Sequence, residues 1–374
     1  MVVMPLNCDP VATTPGAVEL ERRAAAGVCA VDYGFWGGVV PGNLSQLVPM
    51  WEEGVLGFKC FLVHSGIDEF ANVGEGELDE AMGVLAKLGP RGPVLLAHAE
   101  DAVSIAQAEE ESRLGDEPRS YARYLASRPA GAEEAAIGML IRLCERHRTR
   151  VHVVHLASGG SLGALRNARA AGLPISVETC PHYLAFAAGD ICDGETVYKC
   201  APPIRGSEHR EALWAGLRSG DIDLVASDHS PCPPHLKCLN TGDFAQSWGG
   251  ISSLQLGLSV VWTHAAARGI GLGDVARWMS EAPARLAGLE GRKGCIAEGA
   301  DADLVVFDEG AEWTVDASGL EHRHKFTPYD GGRLCGRVKR TYLRGRMIFE
   351  DDAPVERRFP EPPTGQWLRR TQEC

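Results

Sequence analysis

Lys59 sits inside an apolar run, Gly57-Phe58-Lys59-Cys60-Phe61-Leu62-Val63. Burying an ammonium is costly. The side chain either snorkels to water along its apolar stem or gives up its proton, which desolvation favours. A neutral amine can react with CO2 to form a carbamate, an anion whose two oxygens suit the bridging of two metal ions. Further polar groups close later apolar runs: His98 in LLAHAE, His155 in VHVVHLAS, Glu178, Thr179 and His182 in VETCPHYL, and Asp228 and His229 in ASDHSP. Singly, each has an ordinary reading. His98 serves as a hydrogen-bonded core histidine, Asp228 caps the next segment, and His182 and His229 either support a ligand from behind or are structural. Together, Lys, His, His and Asp from separate runs are hard to explain as packing, and imidazole with carboxylate suits zinc and its neighbours. His152 is expected to face helices or solvent, because residues three apart on a strand point opposite ways.

The elements that must position these groups follow from pattern. Short β-branched runs at 1–6, 30–40, 57–64, 93–100, 150–158, 174–184 and 223–230 alternate with helical stretches. Helical apolar faces include Leu78, Met82, Leu85 and Leu88, and Leu213, Trp214 and Leu217. Alternation of this kind predicts a parallel sheet buried on both faces. No glycine-rich phosphate loop opens a helix, which argues for a (β/α)8 TIM-like barrel over an open nucleotide-binding sheet. Such a barrel carries its chemistry at the C-terminal ends of its strands. Seven strands are counted over residues 1–287, one short of eight. Residues 288–374 read as a small, partial β-rich domain and tail. Hairpins are expected within 291–308 and 339–351, and irregular chain over 309–335 and 352–374.

Composition excludes several classes. The formal charge is 37 − 50 = −13, with no basic block, so no nucleic acid is expected as partner. No apolar run reaches membrane-spanning length. The opening MVVMPLNCDP lacks a signal-peptide pattern, and RRTQEC is no peroxisomal address, so a cytoplasmic location is expected. The twelve cysteines read as small core residues of a reducing compartment, with Cys29, Cys60, Cys180 and Cys295 inside apolar runs. Cys232 and Cys238 are spaced too widely for a zinc knuckle, and no cysteine-based metal site is expected.

The order Lys, His, His, Asp on successive strands resembles the amidohydrolase superfamily of metal-dependent barrels. The words GFKCFLVHSGIDEF, VHVVHLAS, VETCPHYL, KCAPPIR, SDHSPC, WGGISSLQ and KGCIAEGADADLVVFD resemble the allantoinases, cyclic amidohydrolases, over residues 1 to about 350. The resemblance implies two divalent metal ions, zinc foremost, bridged by a carboxylated Lys59. It implies His98 and His155 as ligands of the second ion, and Asp228 as ligand of the first and proton shuttle. It implies substrate contacts from His64 and from the backbone at Ala201, Gly249 and Gly250. Many relatives carry Ser where Ala201 stands, a harmless change if only the main chain meets the substrate. The implied reaction is hydrolysis of the small molecule allantoin to allantoate by a hydroxide held by the metals, in a homo-oligomer. The alternatives are a dihydropyrimidinase or hydantoinase and, from another class, a non-catalytic scaffold.

One departure from the family pattern stands out. The family's first strand carries a His-x-His pair, and among the twelve histidines here only His322-Arg-His324 has that spacing. It lies in a charged segment after the barrel and is not accepted as a substitute. The opening run matches the family's second strand, which accounts for the count of seven. The expectation is an N-terminally incomplete chain lacking the first strand and the leading half of the small β domain. As it stands, the first ion would keep Lys59 and Asp228 alone. A fragment of a working enzyme is preferred over a short inactive variant or a true scaffold.

Overall fold

The structure is a computed structural model that describes residues 1–360 and 362–369. Its strands are β1 (Val2–Val3), β2 (Gly34–Phe35), β3 (Gly37–Gly38), β4 (Gly57–Phe61), β5 (Val94–His98), β6 (Val151–Val153), β7 (Ile175–Thr179) and β8 (Leu224–Val225), followed by β9 (Leu304–Thr314), β10 (Arg333–Leu343) and β11 (Arg346–Glu350). Strands β3 to β8 form one parallel sheet in sequence order, and β1 pairs in parallel with β2. The stretch Gly34–Gly38 hands the ladder on at Trp36. Its amide donates to Val3 O (3.0 Å), and the amide of Val39, just beyond, donates to Lys59 O (2.8 Å). The seven expected strands are therefore present in consecutive, parallel order. Among the described residues no ladder joins β1 to β8.

Alternation along the strands divides the core in two. Phe58, Cys60, Leu95, Ala97, Val151 and Val153 pack outward into the cluster that holds the helical residues Leu78, Leu85 and Leu140. Trp36, Leu56, Val94, Leu96 and Val154 form a separate inner cluster. Both strand faces are buried, which is why the runs read as nearly continuous apolar stretches. The connecting helices start and stop where local chemistry dictates. Thr14 caps helix Pro15–Ala25 by accepting from the Ala17 amide (3.2 Å). Gly220, left-handed at φ 81°, ends helix Ser207–Ser219.

The small sheet differs in detail from expectation. β9 does not fold into a hairpin within 291–308 but pairs antiparallel with β10, and β10 turns into β11 at Arg344-Gly345. Residues 309–314 and 333–335, expected to be irregular, are strand. β9 is largely solvent-facing, so it lacks the apolar alternation that betrays a half-buried strand. The sheet docks on helix Gly257–Ala266, where Trp262 Nε1 donates to Glu309 O (2.9 Å). Within the tail, Trp367 bridges to Tyr33 and Leu368 is buried, while residues 361 and 370–374 of the expected irregular stretch lie outside the described residues. No described helix is long and apolar enough to cross a membrane.

Candidate active site

Lys59, His98, His155 and Asp228 all line one cavity of about 2000 Å³ within the ring of strands. Register explains how they meet. Lys59 lies beside Leu96, Leu96 beside His152, and His152 beside Ser176, so this row projects one way, into the ring. His98, two residues beyond Leu96, shares that face. His152 is thus fully buried and inward, contrary to expectation, donating and accepting between Ser176 Oγ (2.7 Å) and Glu178 Oε2 (3.0 Å). His155 reaches the same interior because its backbone turns left-handed, φ 42°. That single conformation breaks the alternation on which the expectation rested. Asp228 also sits at φ 42°. A non-glycine residue in this region costs free energy, and such strain concentrates at functional sites.

Burial sets the electrostatics. Lys59 is 2% exposed; its Nζ donates to Cys60 O (2.9 Å) and lies 3.8 Å from the centre of the Phe61 ring. Desolvation pulls its pKa down to about 7, so the neutral amine is accessible near neutral pH. Desolvation, reinforced by Glu178 and opposed by Lys59, pushes Asp228 up to about 7. The His98 and His155 rings meet edge-on at 4.5 Å, and Phe61 stacks on His98 at 4.8 Å. Burial lowers both imidazoles, His98 to about 4. Glu100 accepts from His98 Nε2 (2.6 Å) and is gripped by Arg128 (3.0 and 2.5 Å). Burial would raise Glu100; Arg128 and His98 instead hold it at about 2. With Nε2–H committed to Glu100, the Nδ1 lone pair of His98 is left for a ligand. His155 Nδ1 is buried without a partner. These donors fit a divalent cation: paired imidazoles with free lone pairs beside a lysine that sheds its proton easily.

The substrate candidates face the same cavity. His64 is at its exposed rim, 3.4 Å from Asp68 Oδ1. Ala201, Gly249 and Gly250 line the wall. Gly249 lies against the Cys200–Ala201 backbone, and the Gly250 amide donates to Lys199 O (2.9 Å). At Gly250, φ 153°, a Cβ would stand 2.5 Å from Ser230 O, so only glycine fits. Two residues missed in the sequence hold this wall. Lys237, fully buried, donates to Lys199 O (2.7 Å), Trp248 O (3.0 Å) and Gly250 O (2.6 Å). Lys199 Nζ donates to Ser247 O (2.6 Å) and to Phe244 O. The signal was present: His-Leu-Lys-Cys-Leu places Lys237 in an apolar run, as Lys59 is placed. Arg128, which steadies His98 through Glu100, had no local signal.

Not every candidate converges. Among the described residues, the donors that gather within 4.8 Å of one another around Asp228 are Cys180 and His182, not His98 and His155. His322 lies beside His229, ring centres 5.7 Å apart. Cys60 and Cys180 are buried as expected, whereas Cys295 is exposed and Cys29 half-buried.

The amidohydrolase family model matches residues 62–348. The chain is 44% identical to the allantoinase of Streptomyces avermitilis over 370 residues, covering 99% of this chain and 79% of that protein. It is 41% identical to the allantoinase of Saccharomyces cerevisiae, covering 98% and 78%. Among solved structures, an L-hydantoinase (dihydropyrimidinase) from Arthrobacter aurescens superposes with a TM-score of 0.91 at 30% identity, covering 99% of this chain and 80% of that one.

Proposed function

Because the chain belongs to the amidohydrolase family, we propose that it is a hydrolase of cyclic amides that opens the hydantoin ring of allantoin to give allantoate. The observation that carries this reading is the edge-on His98–His155 pair, in one cavity with buried Lys59, with half-buried Asp228 and with the backbone of Ala201, Gly249 and Gly250. The relatives named allantoinase at 41–44% identity support the substrate.

His98 and His155 would hold one divalent ion, zinc in the first instance, and Asp228 a second. Lys59, carboxylated by CO2, would bridge the two. When bound, such ions supply an acidified water that is nucleophilic near neutral pH, and positive charge opposite a developing oxyanion. Asp228 accepts the proton of the attacking water and delivers it to the departing ring nitrogen. Without an ion, burial and Glu178 raise this carboxyl to about 7, against the opposing Lys59. Backbone groups of Ala201, Gly249 and Gly250 orient the ring, so the absence of a hydroxyl at Ala201 removes no contact. His64 closes the rim over the substrate. The barrel portion, residues 1–287, carries this chemistry.

Ring opening measured on allantoin, hydantoin, dihydrouracil and dihydroorotate tests the reading. Preference for allantoin is expected; preference for hydantoin or dihydrouracil would move the chain to the hydantoinase type. Lys59→Ala is expected to abolish turnover and to regain part of it with added short carboxylates, which replace the carbamate oxygens. Full activity of Lys59→Ala would overturn the bridging role.

A further inference from the structure

The ring-opening reading leaves one buried ion pair without a task. Glu133, in the first turn of helix Ala130–His147, is 1% exposed, and Arg205 is 5% exposed. Arg205 Nε donates to Glu133 Oε1 (2.7 Å). The other carboxylate oxygen, Oε2, accepts from the amides of Ala157 (3.0 Å) and Ser158 (3.2 Å). Those amides lie two and three residues beyond His155, where the chain has left β6 and turned left-handed. Such a turn costs free energy at a non-glycine residue. Charge-assisted bonds to a desolvated carboxylate are of the strong kind that can hold it. A buried ion pair often gives no gain in stability over apolar residues of similar volume, so its placement calls for another reason.

The same pair reaches the substrate wall and the second imidazole. Arg205 closes the segment that carries Ala201, and its Nη1 donates to the carbonyl of Arg128 (3.0 Å). The guanidinium of Arg128 grips Glu100, which accepts from His98. We propose that Glu133, acting through Arg205, is a positioning residue that couples the exit of His155 to the Ala201 wall, so that the imidazole pair and the ring-binding backbone are set as one unit. The proposal rests on the ring-opening reading for the role of those two parts. A carboxylate is needed rather than an amide because each of these partners of Glu133 is a donor. A glutamine must turn its NH2 either toward Arg205 or toward the two backbone amides, and one side is left unpaired.

Hydrogen exchange of the full chain, read by mass spectrometry on peptides covering residues 154–160, 199–206 and 333–343, tests the coupling without ion or substrate. In Glu133→Gln, exchange is expected to rise by about tenfold in the first two segments and to match wild type in the third, which belongs to the small sheet. Arg205→Gln is expected to deprotect 154–160 as well, although its own side-chain bonds go to Glu133 and Arg128. Zinc affinity by equilibrium dialysis should fall by about 10–100-fold in Glu133→Gln, and KM for allantoin should rise more than kcat falls. Glu133→Asp keeps the charge on a shorter stem; it should give the same two-segment pattern and serves if the glutamine variant does not fold. No rise, a rise in only one of the first two segments, or a uniform rise in all three overturns the coupling, as does unchanged zinc affinity. A wild type that holds no zinc and opens no ring sinks the ring-opening reading instead, and the exchange pattern alone then decides the coupling.

Discussion

Lys59 and Lys237 are both buried lysines in apolar surroundings on the wall of, or just behind, the same cavity, yet their neighbourhoods differ. Around Lys237, three backbone carbonyls converge on Nζ, one for each proton of an ammonium. Around Lys59, Nζ donates to one carbonyl and rests on an aromatic face. Burial lowers both, Lys237 to about 8 and Lys59 to about 7. The lesson is that burial alone does not separate a reactive lysine from a structural one; the acceptors around it do. A lysine with three acceptors ties chain segments together. A lysine with fewer is freer to react, and at β4 it stands beside imidazoles with open lone pairs.

The comparison breaks most sharply at the chemical end. Asp228→Asn is expected to lower kcat by about 10²–10⁴ if Asp228 carries the proton as proposed. The thermal midpoint should change little, since burial already disfavours the charged carboxylate there. Steady-state kinetics and a melting curve on one preparation check both halves. A variant that keeps kcat would remove Asp228 from the proton path.

At the structural end, Lys237→Met keeps the volume and deletes the donors. The carbonyls of Lys199, Trp248 and Gly250 are then short of a partner, at a cost of about 2–4 kcal/mol. The wall that carries Gly249 and Gly250 loosens, so KM should rise more than kcat falls. Denaturant unfolding and the KM-against-kcat split measure this. Equal stability with lost kcat would make Lys237 a chemical residue like Lys59 and collapse the distinction.

Between these extremes stands the support of His98. Glu100→Gln weakens the carboxylate that fixes the imidazole, and such supporting groups are worth about 10–100-fold in metal affinity. Equilibrium dialysis against a divalent ion reads the change directly. Unaltered retention would show that Arg128 and Glu100 serve folding alone.

Much of this was legible in the sequence, for a physical reason. A polar group that closes an apolar run violates the pattern of a buried strand, so Lys59, His98, His155 and Asp228 stood out without any three-dimensional knowledge. The strand order followed from the alternation of runs and helices. What was hidden depends on tertiary events. His152 was assigned to the wrong face because the count from His155 assumed unbroken alternation, and φ 42° at His155 breaks it. Arg128 reaches Glu100 from 28 residues away, from the C-terminal end of helix Tyr121–Ser127. The end of β9 was missed because its exposed faces carry little apolar signal.

The smallest effect expected isolates burial from chemistry. His264 is on helix Gly257–Ala266, which packs against β10 of the small sheet. Burial first, then Arg268 and Arg210 against the opposing Glu211, pushes it down to about 4. Its folded pKa is thus below the unfolded value of 6.5, so the folded state prefers the neutral ring. The stability this contributes is fully present above pH 6.5 and is lost as pH falls through the window from 6.5 to 4. Wild type should lose about 1 kcal/mol more than His264→Gln across that window. Melting curves at intervals from pH 7 to 4 provide the measurement. Parallel curves would mean that burial without a specific partner does not govern titration in this fold, and the contrast between Lys59 and Lys237 would then rest on their acceptors alone.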